Sequence, residues 1–214
     1  MLPTGKKAHL SEKNRSGQDR LSALYRVSQV LGASLNLEEV LNQVMDSVIS
    51  LTGAERGFLV LLDHNPENPG SWPVSFDFQH FPENLTVCAA RNYRQETLDK
   101  KDIEVSRTVI QRVLESGEGV VTTDAQSDPR FSKRESILLY SLRSILCAPL
   151  KVRGQINGVI YIDHRAHTGL FTKDDLNLLN AFAIQAAIAI ENARLYTHTD
   201  KALAERVAEL ETLT

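Results

Sequence analysis

The chain has little that would tie it to a redox, membrane or nucleic-acid role. Only two cysteines occur in 214 residues, Cys88 and Cys147. Each sits inside an apolar run, so both are expected as buried, reduced thiols rather than as a disulfide or a metal pair. No uninterrupted apolar stretch reaches the roughly 20 residues that span a bilayer, and the polar, basic N-terminus does not read as a signal peptide. A net charge of −3, from 24 basic and 27 acidic residues, offers no field of one sign to nucleic acid or to a membrane. The expectation is a soluble cytoplasmic protein with neither kind of partner. Nucleophile and base at catalytic spacing are also lacking. Five of the six histidines (His9, His64, His80, His164, His167) fall in expected loops or tails and the sixth, His198, on a helix. His164 and His167 stand three apart without carboxylate or thiol partners. They are read as solvated, and no metal or cofactor is expected.

What the chain does have is a hairpin pattern from Arg143 to His164. Two apolar runs, Ser144–Val152 and Gln155–Asp163, flank Arg153-Gly154 at the tip of a tight antiparallel turn. Both faces of both runs are apolar, which puts the hairpin inside a sheet covered on two sides. Pro149 cannot donate a ladder hydrogen bond and predicts a bulge or break there. Gly158 predicts the close approach of a helix or a ligand.

At 42% hydrophobic and 24% charged residues, one domain with helical extensions fits the length. Residues 1–18 read as a flexible polar lead-in. Residues 19–34 form a first helix with Leu21, Leu24, Val27 and Leu31 at helical spacing. Asn36 is the expected N-cap, with Glu39 as its capping-box partner, of a second helix. That helix carries Leu37, Val40, Leu41, Val44, Met45, Val48 and Leu51 inward and stops at Gly53. Strands follow at Gly57–Asp63 and Leu85–Arg91. Between them, residues 64–84 hold four prolines, Trp72 and three phenylalanines, with Val74, Phe76 and Phe78 alternating as in a short edge strand. This insertion either packs over the sheet or forms a flap over a pocket. Ser106 caps a helix closed by Gly117, a short strand covers Val120–Thr123, and Ser132 begins a short helix ending near Tyr140. From Thr172 to Thr214 there is neither glycine nor proline. The helix expected there is apolar enough at first to be buried. Beyond residue 196 it is charged with one apolar stripe, a coiled-coil extension over 197–214.

The segments DPRFSKRESILLYSLRSILCAPLKVRGQINGVIYID and FTKDDLNLLNAFAIQAAIAIENARLY resemble a GAF domain, over residues 35–196. They are similar to the GAF modules of bacterial multidomain signalling proteins with cyclase, histidine kinase, phosphatase or transcription-activator outputs. The resemblance implies an α/β (α+β) fold with an antiparallel sheet of about five or six strands. Terminal helices would cover one face, and pocket helices and loops between Arg91 and Ser144 the other. It implies a regulatory, non-enzymatic module that senses a small molecule and relays its state through flanking helices. Linked upstream or downstream signalling domains are the implied recipients. A relay with a vestigial, empty pocket is the alternative. On the wall segments stand Asp124, Asp128, Arg130, Phe131, Ser136, Tyr140 and Ser144, a mix suited to a small polar or amphipathic ligand. The plainer assignment has Asp124 and Asp128 forming turns, Arg130 pairing with one of them and Tyr140 in the core.

Members that bind cyclic nucleotides carry an Asn-Lys pair, a Phe and an Asp-Glu pair. Here those places hold Asp163-His164, Phe171 and Asp175-Leu176, so Phe171 reads as a core anchor and Asp175 as part of a helix first turn. Bilin-binding members need a cysteine in a pocket loop, and sulfoxide-reducing members need several pocket cysteines; neither pattern is present. A parallel homodimer is expected, its seam built from Ile188, Leu195, Leu203, Val207, Leu210 and Leu213 with the first helix alongside, since nothing else in the chain covers that stripe.

Overall fold

The computed structural model describes residues 36–62, 85–131, 138 and 140–212, with Ser22, Tyr25 and Gln29 as isolated helical positions; past residue 196 it describes a helical backbone. The expected lead-in, most of the first helix, the 64–84 insertion and most of the 131–140 helix, Ser136 included, lie outside the described residues. In chain order the elements are α1 (Leu37–Thr52), β1 (Arg56–Leu62), β2 (Leu85–Asn92), α2 (Arg107–Ser116), β3 (Val120–Thr122), β4 (Ser144–Val152), β5 (Gln155–His164) and α3 (Lys173–Thr212). A single 3-10 turn at Lys100–Asp102 precedes α2.

Local chemistry sets the ends of these elements. The Asn36 side chain accepts the Glu38 N–H at the start of α1, and Gly53 closes that helix in the left-handed region. Ser106 caps α2 by accepting the Val109 N–H, and Gly117 closes it the same way. Thr172 and Asp175 cap α3 reciprocally. The Asp175 carboxylate accepts from the Thr172 N–H at 2.9 Å and from its hydroxyl at 2.7 Å, while Thr172 Oγ1 accepts the Asp175 N–H at 3.3 Å.

The five strands form one antiparallel sheet in the order β2-β1-β5-β4-β3. The β4–β5 hairpin turns on Arg153 and Gly154, both at positive φ (51° and 82°), the two-residue geometry that matches strand twist. Pro149 keeps its partner, Val159, and lies past the stretch of β4 that pairs with β3; the irregularity falls one step later, where Leu150 opposes Gly158 and Lys151 opposes Ile156. The close approach at Gly158 comes from the adjacent strand, not from a helix or a ligand. A Cβ there would lie 2.2 Å from the Val60 carbonyl oxygen and 2.9 Å from Leu61 Cα.

A second irregularity changes which residues face which way. Leu59 opposes Ala89 but Val60 opposes Val87, so Cys88 is an extra residue in β2. As a result Cys88 and Ala89 both join the core under the helices, while Val87 and Ala90 face the other core. Both thiols are free and buried.

α1 and α3 cover one face. Leu41, Val44, Met45 and Val48 of α1 and Leu179, Phe182, Ala183 and Ala186 of α3 pack there on Leu59, Leu61, Leu146, Ala148, Ile160 and Ile162. The other face carries Phe58, Val60, Ile145, Cys147, Val159 and Tyr161 under Val109, Ile110 and Val113 of α2 and the residues Ile103, Val105, Ala125, Phe131 and Leu142. Helix α3 runs 40 residues without interruption, so the structure has no break at residue 196.

Candidate functional site

The expected ligand wall lies where the connections between β2 and β4 cross the second face. In it Asp124 makes a turn. Its carboxylate accepts from the Ser127 hydroxyl at 2.7 Å and the Gln126 N–H at 3.3 Å, and Arg143 Nη1 stands at 4.0 Å. Asp128 accepts the Arg130 N–H at 3.0 Å and the Arg130 guanidinium from Nη2 at 2.6 Å and Nε at 3.0 Å. These bonds from Arg130 hold the Asp128 carboxyl down at about 2, outweighing partial burial. The guanidinium also donates to the Val121 carbonyl at 3.0 Å and lies 5.1 Å from the centre of the Phe131 ring.

Phe131 is 1% exposed within the second core, and Tyr140 packs half-buried against that core. Ser144 is fully buried and alternates with Ile145, placing it with Leu146 toward the helix-covered side. Its hydroxyl donates to the His167 carbonyl at 2.8 Å or the Thr123 carbonyl at 3.2 Å and accepts the Leu170 N–H at 3.4 Å. The structure therefore brings Asp128, Arg130 and Phe131 together, sets Asp124 and Tyr140 nearby in the chain path, and ties the Ser144 hydroxyl to the Thr123 carbonyl beside Asp124. Every described contact of the set is one that turn-making, ion pairing and core packing account for.

A second cluster lies at the opposite end of the sheet from the hairpin tip, where β1 starts and β5 ends. Arg56 and Asp163 oppose one another in register, and both are buried, at 3% and 0% exposure. The pair is bidentate, with Arg56 Nε to Asp163 Oδ1 at 3.0 Å and Nη2 to Oδ2 at 2.9 Å. The remaining guanidinium hydrogens reach the segment before α2. Nη2 donates to the Glu104 carbonyl at 3.0 Å and Nη1 to the Asp102 carbonyl at 3.3 Å, with Glu104 Oε2 at 3.5 Å. Burial pushes the Asp163 carboxyl up to about 6 while Arg56 pulls against it. Next in line, Tyr161, also wholly buried, accepts the Ser106 N–H at 3.3 Å on its hydroxyl.

The outer side of this cluster is the corner between β5 and α3. Glu55 accepts the Arg165 N–H at 2.9 Å and Arg165 Nε at 2.9 Å; Arg165 Nη1 lies 3.8 Å from Glu104. Burial raises Glu55, but the hydrogen bonds and charge of Arg165 leave it below the usual carboxylate range. His164 is not solvated as the sequence suggested. Its Nδ1 accepts the N–H groups of Ala166 and His167, both at 3.1 Å, and burial lowers its pKa.

An open groove of about 690 Å³ borders this corner, lined by Asp46, Ile49, Ser50 and Gly53 of α1 and its cap, by Ala54, Glu55, Tyr93 and Gln95, and by His164–Ala166. It lies on the α1 side, away from the expected wall. Phe171 is buried in the helix-side core and Asp175 is the α3 cap, as the plainer assignment had them. Among the described residues no group of three His, Cys, Asp or Glu side chains could hold a metal ion.

Sequence reasoning missed the Arg56–Asp163 pair. Its signal was nonetheless present, in a lone Arg opening one apolar strand and a lone Asp closing the run expected beside it.

Residues 36–190 match the family model of the GAF domain. The dual 3',5'-cyclic-AMP and -GMP phosphodiesterase 11A of Takifugu rubripes is 25% identical over 209 residues, covering 96% of this chain and 23% of the relative. A probable 3',5'-cyclic phosphodiesterase of Caenorhabditis elegans is 27% identical over 163 residues, 76% of this chain and 21% of its own. The chain thus spans less than a quarter of these relatives. The solved GAF domain of an Acinetobacter phosphoenolpyruvate-protein phosphotransferase superposes with a TM-score of 0.60 at 17% identity, covering 84% of this chain and 97% of that one. The free methionine-R-sulfoxide reductase of Neisseria meningitidis, solved with its substrate, superposes at 0.55 and 17%, covering 83% and 91%. At these identities the two likenesses establish the fold.

Proposed function

Because this chain belongs to the GAF domain family, we propose that it is a regulatory module that senses a small molecule and passes its state through the flanking helices of a parallel homodimer to linked signalling domains. GAF domains are small-molecule-sensing regulatory modules of signalling proteins.

The observation that supports it most is on α3. Its inward side is buried, yet Ile184, Ile188 and Leu195 are 52%, 45% and 55% exposed. At about 100° per residue these three fall within roughly 40° of one another, a single apolar line. Half-exposed, each such side chain forgoes about half of the roughly 1.5–3 kcal/mol that full burial is worth, and a second copy laid parallel covers it. Leu203 and Leu210, seven residues apart and about 80–100° round the same helix from Ile184, form a second apolar pair, and in this reading the sequence stripe Leu21, Leu24 and Leu31 joins the seam of a four-helix bundle. Sedimentation equilibrium of the whole chain and of a version ending at Tyr196 tests this. A dimer at tens of micromolar that weakens on truncation is expected, and two monomers overturn it.

For the ligand, the recognition groups are drawn from Asp124, Asp128, Arg130, Phe131, Ser136, Tyr140 and Ser144. Arg130, whose side chain is 42% exposed, is the group best placed to leave its partner for an anionic or polar ligand. A small molecule retained through purification, or a ligand-induced rise in melting temperature that Arg130→Ala reduces, is the expected result. The alternative, a relay with a vestigial pocket, draws on the mutual pairing of Asp128 and Arg130 and on the burial of Phe131; it predicts no such shift with any small molecule.

Cyclic nucleotides are not the expected ligands, because Phe171 and Asp175 are occupied with core and cap. Calorimetry with cyclic AMP and cyclic GMP is expected to show no micromolar binding. No catalytic step is assigned either. Cys147 is wholly buried and burial drives its thiol pKa up, the opposite of what a reactive thiolate needs. No helix among the described residues is long and apolar enough to cross a membrane.

A further inference from the structure

The segment from Asp102 to Ser106 lies over the edge of the second core and leads directly into α2, yet it contributes only two apolar side chains, Ile103 and Val105, to that core. It is also held by polar tethers from two adjacent strands. Arg56 of β1 takes the carbonyls of Asp102 and Glu104, and Tyr161 of β5 takes the N–H of Ser106. The same Arg56 grips Asp163, whose backbone carbonyl accepts the Glu55 N–H at 3.0 Å, and Glu55 in turn holds Arg165. Glu104 touches both guanidinium groups, at 3.5 Å from Arg56 and 3.8 Å from Arg165. From Arg165 only seven residues separate the corner from the first residue of α3. That short loop is itself tied down by Ser144, through the His167 carbonyl and the Leu170 N–H.

We infer that Arg56 is a buried clamp coupling the 102–106 segment, on the second face of the sheet, to the β5–α3 corner at the root of the exit helix, so that displacement at one is felt at the other. The physical case is that neither side can move alone without breaking the whole constellation. A guanidinium that loses the two carbonyls is left buried with unsatisfied donors, and Asp163 buried without Arg56 is an uncompensated charge; both states are costly. The five donors of one planar fork are shared among strand, loop and corner, a task that an ammonium cannot duplicate. Coupling of this kind travels through packed, hydrogen-bonded groups, and it is reciprocal. The clamp needs no ligand to exist and is read out in the free chain.

Hydrogen–deuterium exchange of the whole chain tests it. Arg56→Lys keeps the charge and loses the fork. The expected result is that amides of 102–106 and of 164–172 both exchange at least tenfold faster, with α1 (Leu37–Thr52) unchanged. Arg56→Met paired with Asp163→Leu fills the site without charge and guards against simple unfolding; it is expected to keep the sheet protected while the same two segments loosen. A loop perturbation supplies the reciprocal arm. Val105→Ala is expected to speed exchange at 164–172 in the parent chain and to add nothing there in the Arg56→Lys chain. Equal loosening of all segments, loosening of 102–106 alone, or an additive effect of Val105→Ala in both backgrounds would each overturn the clamp.

Discussion

Alternate residues of the same five strands feed two cores of different construction. Under α1 and α3 the cover is helix on sheet, mostly apolar against apolar, with Phe182 and Met45 fully buried and polar groups at its margins, in the caps, in Ser144 and in the Asp46–Arg91 pair. On the other face one short helix, α2, and loops form the cover, and buried polar side chains hold the loops in place: Arg56, Asp163, Ser106 and the Tyr161 hydroxyl. The first arrangement is worth its buried area and is indifferent to direction. The second is worth less per residue but fixes where each backbone group sits.

The largest effect expected from breaking this contrast is on the helix side. Phe182→Ala should cost about 3–5 kcal/mol, read as a loss of urea midpoint with the whole domain unfolding in one step. Close behind is Gly158→Ala, whose methyl meets the Val60 carbonyl; about 3 kcal/mol of overpacking is expected, with β1 and β5 amides exchanging faster than those of α2.

On the second face, Arg56→Met leaves Asp163 buried and alone, at a cost of roughly 3 kcal/mol. The pH dependence of the same site has a definite sign. Burial raises Asp163 in the folded state to about 6, above its unfolded value, so between about pH 4 and 6 the folded chain holds a proton that the unfolded chain has released. Its contribution to stability is full below pH 4 and is lost as pH rises through 6. Compared with Asp163→Asn, the parent should lose on the order of 2 kcal/mol across that window; no difference in slope between the two would refute the assignment. Smallest is Asp128→Asn, which frees a half-exposed Arg130 and should change the midpoint by less than about 1 kcal/mol. Any slope that the parent pair contributes appears only as pH falls toward 2, the lowered value of Asp128.

Much of this was legible in the sequence because it is local. Gly53, Gly117 and Ser106 mark helix ends by their own backbone preferences, and Arg153-Gly154 between two apolar runs specifies its hairpin within the span from Ser144 to Asp163. The covered hairpin, the helix-side burial of α3 and the inert cysteines follow from period and composition alone. What stayed hidden depends on partners far apart in the chain. The extra residue at Cys88 shows only once β1 and β2 are laid side by side, and the Arg56–Asp163 pair joins positions 107 residues apart. The approach at Gly158 was foreseen but its source was not, since an open Cα says that something comes near and not what. The wall residues show the same limit. Asp128 and Arg130 are equally the right residues for a turn and for a ligand, and their chemistry alone does not choose between the two.

The uninterrupted course of α3 has a mechanical consequence. Forty helical residues make a rod about 60 Å long, of which the stretch from Tyr196 to Thr212 projects about 24 Å. With no glycine or proline to act as a joint, bending is spread thinly along it, and since α3 is packed in the core as far as Ala193, any lever action has its fulcrum where the helix leaves the core. A tilt of 10° at that fulcrum sweeps the backbone at Thr212 through about 4 Å relative to Tyr196 on this geometry.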